Sequence, residues 1–257
     1  MIFSIVDFLG RRVILFVQQT GSIFLMVLKA GKYLGSIWHS RKLVVSQMME
    51  IGVRSIPLVL FVGIFAGAVA SVQTAYQLKG YISYNYLGAA TSVAIFIELG
   101  PVLTALVIAG RIGASIAAEI GTMKVTEQLD ALESLAIDPI RYLAMPRIFS
   151  GFVMIPILTI LADAIGIFGA YAVAGINLDL APELFFGSVK DFFSLLNVFS
   201  GLIKAFFFGG ITAIIGCYVG FNTSGGAEGV GKATIQAFVL SSALILFNDY
   251  LLSVLLF

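Results

Sequence analysis

Charged residues are scarce in this sequence. Only 11% of its 257 residues are charged, while 60% are hydrophobic. An ordinary soluble domain has about 25% charged and about 45–50% apolar residues. A water-soluble fold of this length could not cover its surface with so few charges, so the excess apolar side chains must face lipid. The net charge of +1 also gives no basis for a nucleic-acid partner.

Side chains that carry catalysis or bind metals are almost missing as well. There is one cysteine, Cys217, and one histidine, His39, so neither a disulfide framework nor a Cys/His metal site has enough residues. The sequence contains no HExxH and no GxSxG motif. We expect Cys217 to be a small buried hydrophobe and His39 a surface residue. The chain is therefore expected to have no catalytic site, no metal site and no cofactor of its own.

One segment comes close to a phosphate-binding loop. Residues 226–233 read GAEGVGKA, with Ala233 where that motif needs Ser or Thr to hold Mg²⁺. The motif also follows a strand in a soluble α/β domain, whereas this segment lies between two apolar stretches. We expect a flexible turn here, with Lys232 at the lipid interface, and ATP hydrolysis on another chain.

Five long apolar stretches can each cross a bilayer as a helix, which needs roughly 20 mostly apolar residues. They are residues 56–76, 87–118, 149–175, 195–219 and 233–257. Pro101 lies inside the second stretch and Pro156 near the start of the third, where proline breaks or kinks a helix. The sequence predicts an all-α polytopic membrane protein in which residues 1–257 form a single transmembrane domain.

The N-terminal segment 1–54 differs from the five-span core of residues 55–257. Within residues 3–38, four basic residues interrupt the apolar positions, namely Arg11, Arg12, Lys29 and Lys32. This pattern is typical of one or two helices that lie in the membrane interface, and Tyr33 and Trp38 fit the headgroup level. A sixth crossing over residues 13–28 is the alternative, which the polar patch in its middle disfavours.

The distribution of lysine and arginine predicts the orientation. One side carries the basic residues of the N-terminal segment, of the link between spans two and three, and of the last loop. The opposite side carries only Lys79, Lys190 and, at the start of span four, Lys204. We expect a cytoplasmic N-terminus, an external or periplasmic C-terminus, and a short amphipathic helix in the external loop 180–196.

Small residues recur at intervals of four on two of the spans. One ladder consists of Gly63, Gly67 and Ser71, and the other of Ala109, Gly113, Ala117 and Gly121. Such ladders let helix backbones approach closely in lipid. Each predicts either packing within the chain, which we favour for any single ladder, or a dimer seam.

One long stretch of the sequence carries a family resemblance. Residues 98–135 read ELGPVLTALVIAGRIGASIAAEIGTMKVTEQLDALESL, followed by DPIRYLAMPR at 138–147 and GVGKAT at 229–234. These motifs resemble the MlaE family, the permease subunits of ABC transporters that work with MCE-domain proteins on phospholipid traffic. The resemblance covers nearly the whole chain. It implies a homodimeric inner-membrane permease, two cytoplasmic ATPase subunits that bind ATP and Mg, and an MCE ring outside.

Between spans two and three lies a candidate helix with an apolar stripe and acidic flanks. Thr126 is its expected N-cap, and Asp138-Pro139 are expected to end it. The stripe consists of Leu129, Leu132 and Leu135. We predict a coupling helix that docks into the ATPase through Glu127, Gln128, Asp130, Leu132 and Glu133. The alternative is a lid that packs its leucines on its own chain.

Three ionisable residues lie at similar depth inside the predicted spans. Counting at about 1.5 Å per residue, Glu98, Lys204 and Asp249 lie roughly 12–16 Å from the outer ends of their spans. We predict a buried network of these three, and the family also carries charges at these places. One lysine cannot neutralise two carboxylates, so one acid is expected to be protonated or bonded to another group such as Asn248. Asp163 is a fourth candidate.

The role of this network and the nature of the transport remain open at the level of sequence. The network either fixes helix packing or guards a path for lipid headgroups. A lipid cavity is expected at the dimer interface, with Val69, Leu78 and Leu99 as lining residues. An ion-coupled secondary transporter or channel with a carboxylate relay is the alternative function, and a non-transporting scaffold for the ring protein is a third.

Overall fold

The computed structural model describes residues 2–38 and 40–256, so His39 and the predicted end of span five, Phe257, lie outside the described residues. Within them the chain is helical, without a strand. The helices are α1 (Ile2–Lys32), α2 (Arg41–Ile51), α3 (Ile56–Leu78), α4 (Leu87–Ala94), α5 (Gly100–Ile108), α6 (Ala114–Val125), α7 (Gln128–Ser134), α8 (Met145–Leu178), α9 (Pro182–Asp191), α10 (Leu195–Phe221) and α11 (Gly226–Leu256). Three π turns, Ile95–Leu99, Ala109–Gly113 and Ile140–Ala144, adjoin α4 to α6 and α8.

Five helical stretches of the described chain are long and apolar enough to cross a membrane. Spans one to five are Arg41–Leu78, Tyr84–Val125, Ile140–Leu178, Leu195–Phe221 and Gly226–Leu256. The predicted all-α polytopic fold is confirmed. Each of the five stretches extends beyond its predicted apolar segment at one end or at both, because the helix continues past the apolar run.

The N-terminal helix α1 is continuous, so its polar patch does not break it. It is not among the five stretches able to cross a membrane. Met26 and Ala30, near its C-terminal end, are buried in the core, whereas Val13 and Val17 are exposed. The second half of α1 therefore packs against the core. The position of α1 in the membrane interface remains a prediction.

Span two is interrupted by π turns rather than sharply broken. Pro101 has no N–H, so the usual helical hydrogen bond cannot form there, and the N–H of Gly100 bonds to the carbonyl of Ile95. In this register the carbonyl of Phe96 lacks a donor from position 101. It faces span four so closely that a Cβ added to Gly201 would lie 2.0 Å from its oxygen. A side chain at position 201 would collide with this carbonyl, so the contact between spans two and four requires glycine there.

Both small-residue ladders pack within the chain. A Cβ added to Gly67 would lie 1.8 Å from the carbonyl oxygen of Gly166, which puts span one directly against span three. The ladder of span two faces span four, where a Cβ on Gly216 would lie 2.9 Å from the carbonyl oxygen of Gly113. Close backbone contact replaces side-chain interdigitation at these seams.

The segment that resembles a phosphate-binding loop begins α11. The expectation of a flexible turn was wrong, because residues 226–233 are helical and Glu228 pairs with Lys232 at 2.7 Å across one helical turn. The actual turn lies just before them, where Gly225 has a φ of 90°. The segment follows the helix α10, whereas a phosphate-binding loop follows a strand.

Candidate functional site

A cluster of charged side chains lies inside the membrane where spans two, four and five meet. Lys204 on α10 is fully buried, and its Nζ lies 2.5 Å from Oε1 of Glu98 and 3.0 Å from Oδ1 of Asp249. The structure thus brings together the three residues that the sequence placed at similar depth.

Ser253 completes this cluster, which we call the charge cluster (Glu98, Lys204, Asp249 and Ser253). Its hydroxyl accepts a hydrogen bond from Lys204 Nζ at 2.8 Å and lies 3.1 Å from Glu98 Oε1, to which it can donate. Asn248, the expected extra partner, makes no such bond to the cluster, and among the described residues its buried Oδ1 has no hydrogen-bond partner. Ser253 lies one helical turn after Asp249, and that spacing was the available sequence signal.

The charge cluster holds two carboxyl groups around one ammonium. Burial of Lys204 is tolerated because anions surround it, since an unpaired ion in a bilayer core is very costly. Glu98 is the more accessible acid, with 42% of its side chain exposed against 19% for Asp249. The cluster thus has one more carboxyl group than ammonium groups, and Glu98 is the acid that a ligand can reach more easily.

Asp163, the fourth candidate, lies apart from the charge cluster. It is buried on α8, and within the described chain its Oδ1 has no hydrogen-bond partner. A Cβ added to Gly100 would lie 1.7 Å from this oxygen. Asp163 therefore packs against the first π turn from span three, while Lys204 contacts the same turn from span four.

The candidate coupling helix, α7, is shorter than predicted at both ends. Thr126 does not cap it, because its hydroxyl donates to the carbonyl of Thr122 at 2.8 Å; Glu127, with a φ of 59°, is the N-cap residue. Asp138-Pro139 do not end it either. The helix ends in a Schellman motif, with Ile137 N–H bonded to Leu132 O at 2.9 Å and Ala136 at a φ of 58°.

The two faces of α7 differ in character. Leu129 is buried and Leu132 is packed against the same core, whereas Leu135 is 71% exposed. The four polar residues predicted for coupling are all exposed, namely Glu127, Gln128, Asp130 and Glu133. Two leucines therefore fix α7 to its own chain, as the lid alternative required. The acidic face is exposed to a partner, although Asp130 on it also pairs with Lys124 at 3.4 Å.

The loop after α7 is bonded to Tyr33, the residue that follows the N-terminal helix α1. Asp138 accepts the N–H of Ile140 at 2.8 Å through one oxygen and the hydroxyl of Tyr33 at 2.7 Å through the other. The guanidinium of Arg141 lies 5.8 Å from the centre of the Tyr33 ring. The hydrogen bond to Asp138 raises the pKa of Tyr33 above its ordinary value. Tyr33 is therefore neutral and able to donate at physiological pH.

Two further arginine contacts join helices at the α7 end of the bundle. Arg147 is buried and pairs with Oε1 of Glu119 at 2.7 Å, linking span three to span two. Arg111, on the second π turn, donates to Ser55 Oγ at 2.5 Å and lies 3.5 Å from a carboxylate oxygen of Glu50. Sequence reasoning missed these pairs because their partners are distant in the chain.

The three predicted lipid-cavity residues do not share a cavity in the single chain. Leu78 lines a groove of about 470 Å³ together with Ile82 and Phe192. Leu99 lines a separate narrow crevice between spans one, two and three. Val69 lines neither and is 64% exposed on span one.

The fold and the charge cluster define a multi-pass membrane protein with ionisable groups inside the bilayer, as in membrane transporters. The sequence model of the family described as Permease MlaE matches residues 44–255. The chain belongs to this family of ABC transporter permeases, as its motifs indicated.

Relatives of the chain support this assignment. A probable ABC transporter permease protein of Rickettsia conorii is 40% identical, covering 100% of this chain and 99% of the relative. A probable ABC transporter permease protein of Synechocystis is 42% identical, covering 93% of this chain and 88% of the relative. The intermembrane phospholipid transport system permease protein MlaE of Haemophilus influenzae is 35% identical over 100% and 99%.

Proposed function

We propose that this permease moves phospholipids or similar amphiphiles between the inner membrane and an MCE-domain partner, powered by a separate ATPase. The name of the Haemophilus influenzae relative, which specifies intermembrane phospholipid transport, supports the cargo. The observation that carries the coupling to an ATPase is α7, a short helix between two spans with an exposed acidic face and an anchored apolar face. The chain itself performs no hydrolysis, and ATP and Mg are bound by the partner.

The path of force runs from α7 into the bundle. Leu129 belongs to the same buried core as Ile120 of span two, Leu143 at the start of span three and Cys217 of span four. Because such a core is close-packed, a displacement of α7 by the ATPase moves the ends of these spans rather than being absorbed locally. The Schellman motif and the Tyr33–Asp138 bond fix the far end of α7, so that it acts as a rigid lever.

The functional unit is a homodimer with the N-terminus in the cytoplasm and the C-terminus outside. Large apolar side chains on spans one and five are exposed in the single chain, among them Phe61, Phe65, Phe247 and Val254. Some face lipid and some face the second copy. Val69, Leu78 and Leu99 line the lipid cavity once the second copy closes it, since acyl chains need apolar walls.

In this proposal the charge cluster lies between the apolar cavity and the interior of the bundle. Its more exposed acid, Glu98, is placed to contact a headgroup, while Lys204 and Asp249 hold spans four and five together behind it. In this arrangement Glu98 contacts the lipid headgroup, whereas Lys204 and Asp249 contribute to helix packing. A carboxylate relay for coupled ions is the competing use of the same residues.

Charge reversal on α7 tests the proposal. Glu127→Lys with Asp130→Lys should abolish co-purification of the ATPase subunit, because both side chains point outward and neither supports the core. The matched control is Glu183→Lys with Asp191→Lys on α9, which lies at the opposite end of the bundle. Retention of the ATPase by the α7 variant would overturn the assignment. Transport that persists without an ATPase would favour the ion-coupled alternative.

A further inference from the structure

A second cavity lies at the α7 end of the bundle, away from the charge cluster. It has a volume of about 590 Å³ and lies among α1, the segment from α6 to the loop after α7, and the end of α10. This size is in the range of small-molecule sites, roughly 300–1,000 Å³. The transport path does not account for it, and Glu133 of the acidic face of α7 lies in its wall.

The walls of this cavity, which we call the α1–α7 cavity, are half apolar and half polar. Met26 of α1, Leu129 of α7 and Phe221 of α10 supply apolar surface. Lys29 of α1, Lys124 of α6 and Glu133 of α7 supply charge. An amphiphile satisfies both kinds of wall, whereas a wholly polar or wholly apolar ligand satisfies one.

The charges in the α1–α7 cavity are not all neutralised by one another. Lys124 pairs with Asp130 at 3.4 Å, and the Asp138 carboxylate accepts two hydrogen bonds. Lys29 and Glu133 form no ion pair within 4.0 Å in the described chain. The cavity therefore offers one cation and one anion to a ligand.

We propose that the α1–α7 cavity binds the headgroup of a zwitterionic phospholipid from the adjacent leaflet, with its phosphate at Lys29 and its ammonium at Glu133. A phosphoethanolamine headgroup carries both charges on one short chain. The apolar wall receives the glycerol and the first acyl carbons. The proposal rests on the proposed function for its orientation, since the leaflet next to α7 is the cytoplasmic one.

Occupancy of this cavity is linked to coupling. Glu133 and Leu129 belong to α7, and Lys29 belongs to α1, so a bound headgroup bridges the coupling helix and the N-terminal helix. It reinforces the Tyr33–Asp138 bond, which joins the same two parts of the chain. The bound lipid stabilises the position of α7 and is not itself transported.

Photolabelling tests the site with a matched pair of charge reversals on one helix. The purified complex is reconstituted with phosphatidylethanolamine that carries a photoactivatable group on its headgroup, and labelled peptides are mapped. Lys29→Glu should lower labelling of the α1 and α7 peptides by about tenfold, the loss expected for one charge-assisted hydrogen bond. Lys32→Glu, the same change on the same helix, should leave labelling unchanged because Lys32 does not line the cavity.

Three results would overturn the proposal. One is equal labelling in the two variants, and another is labelling of the α1 segment without α7. The third is full protection by millimolar soluble phosphoethanolamine, which would make a free phosphate ester the ligand instead of a lipid. Co-purification of the ATPase is scored in the same samples. Absence of the ATPase from the parental complex would count against the proposed function. Absence of labelling in a parental complex that retains the ATPase would count only against the cavity.

Discussion

Lys204→Met removes the cation of the charge cluster and keeps a side chain of similar length. Lys204 is fully buried, 2.5 and 3.0 Å from two carboxylate oxygens, so the variant leaves Glu98 and Asp249 close together without a counter-charge. Breaking a buried pair by removing one partner costs about 3–5 kcal/mol. Because 42% of the Glu98 side chain is exposed, screening favours the lower figure. About 3 kcal/mol corresponds to a fall in melting temperature of about 6–12 °C for a chain of this size.

The single cysteine provides the assay. Cys217 is fully buried, so a thiol-reactive dye reports unfolding of the purified protein in detergent. The triple variant Lys204→Met/Glu98→Gln/Asp249→Asn should recover most of the loss, because no net charge is left unpaired. A melting temperature of Lys204→Met equal to that of the parent would refute the reasoning. If the stable triple variant cannot transport, the charges act in transport; if it transports normally, they serve packing.

Three further substitutions follow from the geometry. Gly67→Ala should destabilise the protein by about 1–3 kcal/mol or prevent folding, because its Cβ would lie 1.8 Å from Gly166 O. The control is Gly187→Ala, whose added Cβ has no atom within 4 Å; equal melting temperatures of the two variants would contradict the close contact of spans one and three. Ala136→Gly should stabilise the end of α7 by about 1 kcal/mol, because the φ of 58° at position 136 favours glycine. The amide hydrogen of Ile137 should then exchange more slowly than in the parent protein, and faster exchange would contradict the Schellman motif. Arg147→Lys should lower the melting temperature, because a lysine cannot both pair with Glu119 and reach the carbonyl of Leu143. The control is Lys42→Arg on α2. An unchanged melting temperature of the Arg147 variant would show that the Arg147–Glu119 pair is dispensable for stability.

Properties set by long apolar runs and by depth were predictable from the sequence. Hydropathy located all five spans, because the bilayer demands about 20 apolar residues of any crossing helix. Counting residues from the span ends was sufficient to pair Glu98, Lys204 and Asp249, because the rise per residue of a helix is nearly uniform and the short π turn at Glu98 changes the depth little. The small-residue ladders similarly predicted close helix contact, although not the partner helix.

Features that depend on backbone register or on distant residues were not predictable. The π turn at Glu98 follows from Pro101, but sequence alone does not say whether proline kinks, widens or breaks a helix. The end of α7 was missed because alanine occupies the left-handed position where glycine is the usual signal. Tyr33 and Asp138 lie 105 residues apart, and no local pattern joins them.

Reconstituted lipid transfer is the most direct test of the central claim that energy enters this permease through α7. Labelled phospholipid is followed from proteoliposomes to an MCE-domain acceptor, with the chain alone, with its ATPase, and with the Glu127→Lys/Asp130→Lys variant. The account predicts transfer only when the ATPase and ATP are present and α7 is intact. Equal transfer by the chain alone, without ATP, would contradict it.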